Sequence, residues 1–553
     1  MKLWTNKTIL TGVAGLALIS LGVAICLMRY AIFHYIMQKE LPLSPQSRGF
    51  QVWKDTSEVP IYLKVYIFNW TNPEELNEPN KKPNLVQVGP YTFREKRWKL
   101  NITFHPENDT VSYLQKRTWH FESSKSNGTL QDKVSQLNAI IVSAAYKMRY
   151  WSAFMQSSSG FLINRMRQDT NFVRTVDEVL FSGFEDKLLT MGTIFTSDGA
   201  QEYDKFGWFY KRNVTTQFEG HKNIGTGAKD LSNLGLMKVW NYKDTTKFYE
   251  SPCNMVEGSA GEMWPPYRTT DDIKLFTPDI CRPVTYEYSG IVNHKGIEGY
   301  KYSLGRKSLS NDTRRRYPHE QAKYFQSTTT TENSFDVNST TFRPEDSQYD
   351  EDEINEGGCY CNGECTPMGL MNVSSCRYGA PGFISLPHFL NGDPSLIDAV
   401  VGIKPEKEKH GFDIILEPTT GVPLKITARL QINVLLQKSD IVTILNDVPT
   451  IYFPILWFEV VGGIPDVMLD DFRLFLSLPN MMKNTGLVLV LVGTLYSLGV
   501  AVTIYLSWNK TLQSQPDQTN SVSRKVEMTY MEKPTDGEDQ QIRSDRRLYP
   551  THR

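Results

Sequence analysis

Two uncharged apolar runs bracket most of the chain, and they limit what it can fold into more than any other feature. Ile9 to Met28 and Gly486 to Trp508 contain no charged residue. Each is about long enough to cross a bilayer as a helix, which takes roughly 20 apolar residues. For the first run the alternative is a cleaved signal peptide. Its apolar core is too long for that role, and Arg29-Tyr30-Ala31 stands where a small-residue cleavage site would follow. An uncleaved anchor is therefore expected. Two spans put both ends of the chain on one side of the membrane. Lys2 and Lys7 before the first run, with Lys510, Arg524 and Lys525 after the second, suit cytoplasmic tails. Arg29 and Lys483 on the opposite flanks keep charge from deciding this alone. The expected layout is a tail at 1–8, spans at 9–28 and 486–508, an extracellular or lumenal ectodomain at 29–485, and a tail at 509–553.

What lies between the runs supports that topology. Of seven cysteines, Cys26 sits inside the first apolar run, while Cys253, Cys281, Cys359, Cys361, Cys365 and Cys376 lie in the middle. Asn69, Asn101, Asn108, Asn127, Asn213, Asn311, Asn338 and Asn372 each have Ser or Thr two residues on, which makes them candidate glycosylation sites. Cysteines mixed with such sites read as disulfides in an oxidising compartment. Cys361 and Cys365 would close a small loop while Cys359 and Cys376 reach back to Cys253 and Cys281. Six cysteines still allow fifteen pairings. A zinc cage is the rival, since Cys-x-Cys-x3-Cys has ligand-like spacing, but the cluster contains no histidine.

The folded part changes period along its length. Ile61, Leu63, Val65 and Ile67 alternate with polar or larger neighbours, which predicts a strand. Shorter strands are expected at Tyr91–Phe93 and Val111–Leu114, with turns at Asn72-Pro73 and Gly89-Pro90. Leu137, Ile140, Ile141, Ala144 and Met148 then recur at helical spacing, and Trp151–Met166 and Val173–Leu180 are further helical candidates. The 134–189 region is thus read as a helical subregion in a mainly β chain. It carries Lys147, Arg149, Arg165, Arg167 and Arg174 together with Tyr150, Trp151, Phe154 and Phe161. Solvated charges on packed helices are the plain reading. A basic, aromatic platform for an anionic or amphiphilic ligand is the functional one.

Residues 306–357 read as a flexible charged insertion: Arg314-Arg315-Arg316 precedes a stretch, Glu332 to Glu356, with nine acids and one arginine. Its role is not legible, and no calcium-loop spacing is present. The longest alternation comes late, with Leu424, Ile426, Ala428, Leu430, Ile432, Val434 and Leu436 on one face, as suits the wall of an antiparallel sheet or barrel. Ile451–Val461 is another apolar run.

Enzyme signatures are scarce. His319-Glu320 lacks the second histidine of a zincin, since Lys323 stands there, and Gly225-Thr226-Gly227 lacks a phosphate-loop ending. His388 is read as a structural histidine. No catalytic residue, metal site or cofactor is expected. A net charge of −1 argues against a nucleic-acid partner.

Several stretches resemble one family. Val65-Tyr-Ile-Phe-Asn-Trp-Thr-Asn-Pro73, Val88-Gly-Pro-Tyr-Thr-Phe-Arg-Glu95, Ile384-Ser-Leu-Pro-His-Phe-Leu390, Leu416-Glu-Pro-Thr-Thr-Gly421 with Arg429-Leu-Gln-Ile-Asn-Val434, and Pro454-Ile-Leu-Trp-Phe458 occur in the order found in the class B scavenger receptors. The likeness covers both apolar runs and nearly everything between, and the chain is identified as an insect-type member.

The resemblance implies a mainly β fold with α elements: an antiparallel β-barrel-like ectodomain with a helical cap and an internal hydrophobic tunnel, anchored by two transmembrane helices. It implies the pairings Cys253–Cys359, Cys281–Cys376 and Cys361–Cys365. It places ligand-binding cations on the cap at Arg165 and Arg167, to which Lys147 and Arg149 add their charges. The expected partners are lipids, fatty acids or lipoprotein-like particles, and self-association into a homo-oligomer is compatible with the chain. A scavenger-type receptor that passes lipid to the membrane is the first expectation. An adhesion or phagocytic receptor for apoptotic cells or microbes is the alternative, and a lipid-ester ectoenzyme the third. The tails contain no cysteine for palmitoylation and no dileucine or tyrosine sorting signal, so the plasma membrane is expected, with endosomal or lysosomal membrane as the alternative.

Overall fold

The computed structural model describes residues 6–55, 61–190, 204–310, 356–361 and 363–513. Most of the 306–357 insertion, Asn311, Asn338 and the C-terminal tail lie outside these residues. The chain divides into two compact units, Met1–Arg29 with Asn480–Arg553, and Tyr30–Pro479. Its helices longer than two turns or nearly so are α1 (Asn6–Glu40), α2 (Arg48–Lys54), α3 (Ala139–Met148), α4 (Ala153–Arg165) and α5 (Asp466–Gln513). Helices α1 and α5 are long and apolar enough to cross a membrane, and they fit a two-span membrane topology.

In the terminal unit the two helices meet through glycines. A Cβ on Gly22 would stand 2.6 Å from the Gly486 carbonyl oxygen, and one on Gly493 2.9 Å from that of Gly15. Without side chains at these positions the backbones approach closely, which is how helices gain packing energy where no hydrophobic drive separates them from lipid.

Among the described residues the larger unit is built on fifteen strands: β1 (Ile61–Trp70), β2 (Leu85–His105), β3 (Thr110–Phe121), β4 (Lys133–Leu137), β5 (Asn171–Thr175), β6 (His221–Gly225) and β7 (Met237–Trp240). The remainder are β8 (Ile273–Thr277), β9 (Arg282–His294), β10 (Ile297–Leu304), β11 (Met371–Asn372), β12 (Gly382–Ser385), β13 (Asp413–Leu416), β14 (Pro423–Leu436) and β15 (Ile451–Gly463). All but β4 and β5 join one sheet, whose main path runs β7-β6-β3-β2-β1-β15-β14-β13-β10-β9-β8. Every pairing in it is antiparallel.

The two ends of the path are bridged by the segment around Ser259. Ser259 pairs with Leu236, next to β7, and with Leu275 in β8. Its N–H donates to the Lys274 carbonyl at 2.8 Å and its carbonyl accepts from the Phe276 N–H at 2.9 Å. The sheet thereby becomes a nearly closed barrel, which leaves little unpaired edge. Ser259 is fully buried, consistent with a seam rather than a loop.

Strand β1 has the face expected of it, with Ile61, Leu63, Val65 and Ile67 all buried. Gly89-Pro90, expected as a turn, lies inside β2 instead. There the β1–β2 register shifts between Val65 and Ile67, and Gly89 has φ +105°; a Cβ would stand 2.7 Å from the Val65 carbonyl oxygen. The glycine marks a bulge, a punctuation that reads like a turn in sequence.

The outer faces of β1, β15 and β14 carry a row of charges. Lys64, Glu459 and Arg429 stand side by side in register, with Lys64 2.8 Å and Arg429 2.7 Å from the Glu459 carboxylate. Next to this row packs the segment carrying His388 and His410. His388 is not in a strand: it has φ +55° in a short 3-10 turn. Its Nε2 lies 2.8 Å from Gln87 Oε1, which also accepts from Trp457 Nε1, and its Nδ1 accepts from the Lys404 N–H. The buried ring is fully engaged, as a structural histidine should be.

The structure joins Cys253 to Cys359, Cys281 to Cys376 and Cys361 to Cys365. The first two bonds close loops of 106 and 95 residues in sequence, tying the segment after the insertion back to the barrel.

Candidate ligand-binding site

The 134–189 region departs from an all-helical reading. Leu137 ends β4, and Val173 lies in β5, which pairs antiparallel with β4. Only the second half of the third helical candidate is helical, from Val176 into a π turn at Glu178–Ser182. The β-branched Val173 and Thr175 suit a strand, and their short run could not be separated from a helix by period. Between β4 and β5 lie α3 and α4. Asn138 caps α3, accepting from the N–H groups of Ile140 and Ile141, a standard use of a short polar side chain.

Helix α3 is mostly buried, with Ala139 to Val142, Ala145, Tyr146 and Met148 in the core. Helix α4 is the opposite. Only Ser159, Gly160 and Ile163 are buried in it. Phe154 is 80% and Phe161 67% exposed; spaced by seven, they share one face. Arg165, four residues beyond Phe161, and Arg167 are exposed too. An exposed aromatic stripe next to two guanidinium groups is an amphiphilic surface, and large exposed apolar side chains grouped this way mark interaction sites. Val173 on β5 is 51% exposed as well.

The four cations named from the sequence are not equivalent. Arg149 bonds Glu364 at 2.8 and 2.9 Å, while Tyr146 and Tyr150 donate to the same carboxylate at 3.1 and 2.6 Å. Burial raises the Glu364 pKa, but these donors outweigh it and hold the carboxyl below its ordinary range. Arg149 therefore fastens the Cys361–Cys365 loop to α3. Lys147 is half-buried beside Gly379. Glu364 went unnoticed in the sequence, although an acid enclosed by a five-residue disulfide loop has few places to go other than a neighbouring cation.

The barrel interior is the second candidate region. On β14 the residues facing inward are Ile426, Ala428, Leu430 and Ile432, opposite Gly462, Val460, Phe458 and Leu456 of β15. Ile426, Ala428, Leu430, Ile432, Phe458 and Val460 are only half-buried, so this inner wall is apolar yet incompletely filled. On β2 and β3 the inward residues are Glu95, Arg97, Lys99, Gln115 and Arg117. Arg97 pairs with Glu95, Lys99 with Glu262, and Arg117 and Lys222 with Glu219, each at 2.5 Å. Burial pushes Lys99 down to about 8. For Glu219 burial acts upward, but Arg117 and Lys222 prevail and bring it down to about 2. Period-2 spacing of Glu95, Arg97 and Lys99 was a signal for this wall, hidden because Arg94 and Lys96 between them are charged as well.

Among the described residues no group of His, Cys, Asp or Glu side chains is placed to hold a metal ion. Of the candidate glycosylation sites, Asn101, Asn108, Asn127 and Asn213 are exposed and Asn69 and Asn372 half-buried.

Residues 13–505 match the CD36 family. The chain is 33% identical to Protein peste of Drosophila melanogaster, over 80% of this chain and 73% of that one. It is 30% identical to Scavenger receptor class B member 1 of Cricetulus griseus, over 92% of each chain. It is also 27% identical to Lysosome membrane protein 2 of Mus musculus, over 85% of this chain and 88% of the relative. A match spanning both apolar helices and the whole barrel between them, together with this degree of identity, makes the chain a member of the CD36 family.

Proposed function

We propose that this protein is a scavenger-type receptor that captures lipids or lipid-bearing particles on the α4 surface and conducts lipid through the barrel to the membrane. It acts as a receptor and conduit, without catalysis. The observation that carries this reading is the apolar, half-filled inner wall of β14 and β15, since a solid core would bury Ala428, Leu430, Phe458 and Val460 outright. A fatty acyl chain loses about 0.8 kcal/mol for each CH2 brought into water. A continuous apolar path removes most of that barrier. Arg165 and Arg167 supply a positive field for carboxylate or phosphate headgroups at the point of capture, weakened by salt. The similarity to Scavenger receptor class B member 1 supports a receptor at the plasma membrane. That to Lysosome membrane protein 2 supports an endosomal or lysosomal membrane as the alternative.

In this reading both termini are cytoplasmic, the middle carries glycans at the exposed sites Asn101, Asn108, Asn127 and Asn213, and Asn69 and Asn372 are modified less completely. Uptake of labelled lipid by cells expressing the protein tests the reading. Joint Arg165→Glu and Arg167→Glu should lower uptake severalfold while surface expression holds. Uptake no higher than in untransfected cells, across fatty acid and lipoprotein ligands, would count against it. The exposed Phe154 and Phe161 favour one rival, an adhesion receptor in which particle binding persists without any lipid transfer.

A further inference from the structure

Helix α2 reaches into the barrel. Its side chains Phe50 and Trp53 are buried, and both touch the inner wall. Phe50 packs on Phe104 of β2 with ring centroids 5.5 Å apart. Trp53 meets Tyr113 of β3 edge-on at 4.8 Å, and the Lys99 amine lies 5.4 Å from the Trp53 ring. Tyr113 shares a face of β3 with Val111 and Gln115, which stand opposite Phe104 and Lys99 in register, so Phe50 and Trp53 point into the lumen. The same core cluster contains Phe33 and Met37 of α1, and Phe475 and Leu478 of α5 pack against it. Helix α2 thus occupies the end of the barrel from which both apolar helices depart, where a conduit to the bilayer must open. It is also tied to those helices. The Arg48 N–H donates to the Glu40 carboxylate of α1 at 3.2 Å, and the Arg48 guanidinium pairs with Asp471 of α5 at 3.0 Å.

The contact that Trp53 makes is polar at its centre and incompletely paired. Lys99 donates to Gln115 at 3.0 Å and to Glu262 Oε1 at 2.5 Å. Around this amine three buried polar atoms have no hydrogen-bond partner: Trp53 Nε1, the Tyr113 hydroxyl and Glu262 Oε2. Buried polar groups in folded proteins are nearly always paired, and one left unpaired loses its hydration without return. When Trp53 withdraws, water reaches all three, and the hydrogen bonds recovered offset the apolar burial given up. A wedge that only supported the fold would gain by pairing these atoms or replacing them with apolar ones. Their presence brings the closed and open arrangements close in free energy, as a gate requires.

We propose that α2 is a plug that gates the barrel's outlet to the membrane, with Trp53 as the closing side chain and Arg48 as the link to α5. A shift of α5 against the barrel pulls on Arg48, draws Trp53 away from Tyr113 and Lys99, and opens the lumen. The plug rests on the conduit reading, which it deepens by naming the element that controls release. It is separate from the α4 surface, where capture takes place.

The test uses the full chain in proteoliposomes and follows transfer of an anthroyloxy-labelled stearate into the bilayer. Trp53→Ala should speed transfer severalfold. Tyr113→Phe deletes a hydroxyl that only the closed arrangement leaves unpaired, so it should slow transfer; a wedge that merely supports the fold predicts no change. A lock leaves the plug contact itself intact. Asp55, the residue after α2, pairs with Trp98 of β2 in an antiparallel bridge, close enough for a disulfide. In the Asp55→Cys, Trp98→Cys double variant, oxidation should cut transfer at least about tenfold. Mild reduction should restore it, measured against the wild type under the same reductant. The lock decides the matter even if Trp53→Ala fails to fold. Transfer indifferent to the lock and unchanged in Tyr113→Phe would overturn the plug and leave the conduit intact. Wild-type transfer no faster than into protein-free liposomes would overturn both.

Discussion

His388 and His410 stack with ring centroids 4.3 Å apart, and each Nδ1 accepts a backbone N–H, from Lys404 and Glu406 respectively. Protonating either nitrogen forfeits that bond. Burial first, and then nearby charge, hold both rings down to about 4, from an ordinary value of 6.5. The groups facing the pair are Glu406, which favours protonation, and Lys409 and Arg429, which oppose it. Since the folded state resists protons that the unfolded chain accepts, stability is complete above pH 6.5 and declines as pH falls toward 4. At pH 5 the loss is about 2 kcal/mol for each ring treated alone. Thermal melts at pH 7 and 5 should show the drop, and His410→Phe should flatten it. A melting temperature unchanged between these values in the wild type would refute the neutral pair. The sequence identified His388 as structural, but not its companion, because only the folded chain brings residue 410 to it.

Among the elements, helix α4 depends on Gly160. A Cβ there would stand 2.7 Å from Ile441 Cγ2 and 2.8 Å from the Ile441 carbonyl oxygen. One turn later Asn164 donates to that carbonyl at 3.2 Å and accepts from the Thr443 N–H at 2.9 Å. Gly160→Ala gains about 1 kcal/mol of helix propensity but forces the helix off this seat, for roughly 1–3 kcal/mol of overpacking. Amide exchange across 153–165 should therefore quicken and lipid capture fall, while the barrel strands keep their protection. Exchange as slow as in the wild type would show that the seat is compliant. Strands β1, β14 and β15 were legible because one face of each is consistently apolar. Strand β5 was misread because five residues are too few to fix a period. The charged wall of β2 escaped notice because polarity on both faces looks like exposure, and burial is a property of the closed sheet.

For the molecule as a whole, two things could not come from pattern alone. Closure depends on Ser259, a residue with no local signature, which pairs with both ends of the sheet. The chemical division of the interior depends on which strands become neighbours. What the sequence did carry was the bracket of apolar helices, the mainly β body, and a cluster of cysteines between them, because each reflects a local requirement of lipid, pleat or redox compartment. The conduit is a statement about the space those elements enclose, and Ala428, half-buried on the inner face opposite Val460, is the place to obstruct it. Ala428→Trp adds a bulky ring to the lumen without touching Arg165, Arg167 or Phe161. In proteoliposomes holding the full chain, transfer of a fluorescent fatty acid into the bilayer should fall at least about tenfold, which corresponds to about 1.4 kcal/mol of added barrier, while particle binding stays at the wild-type level. Transfer at the wild-type rate through a correctly folded Ala428→Trp protein would mean that lipid does not travel through the barrel.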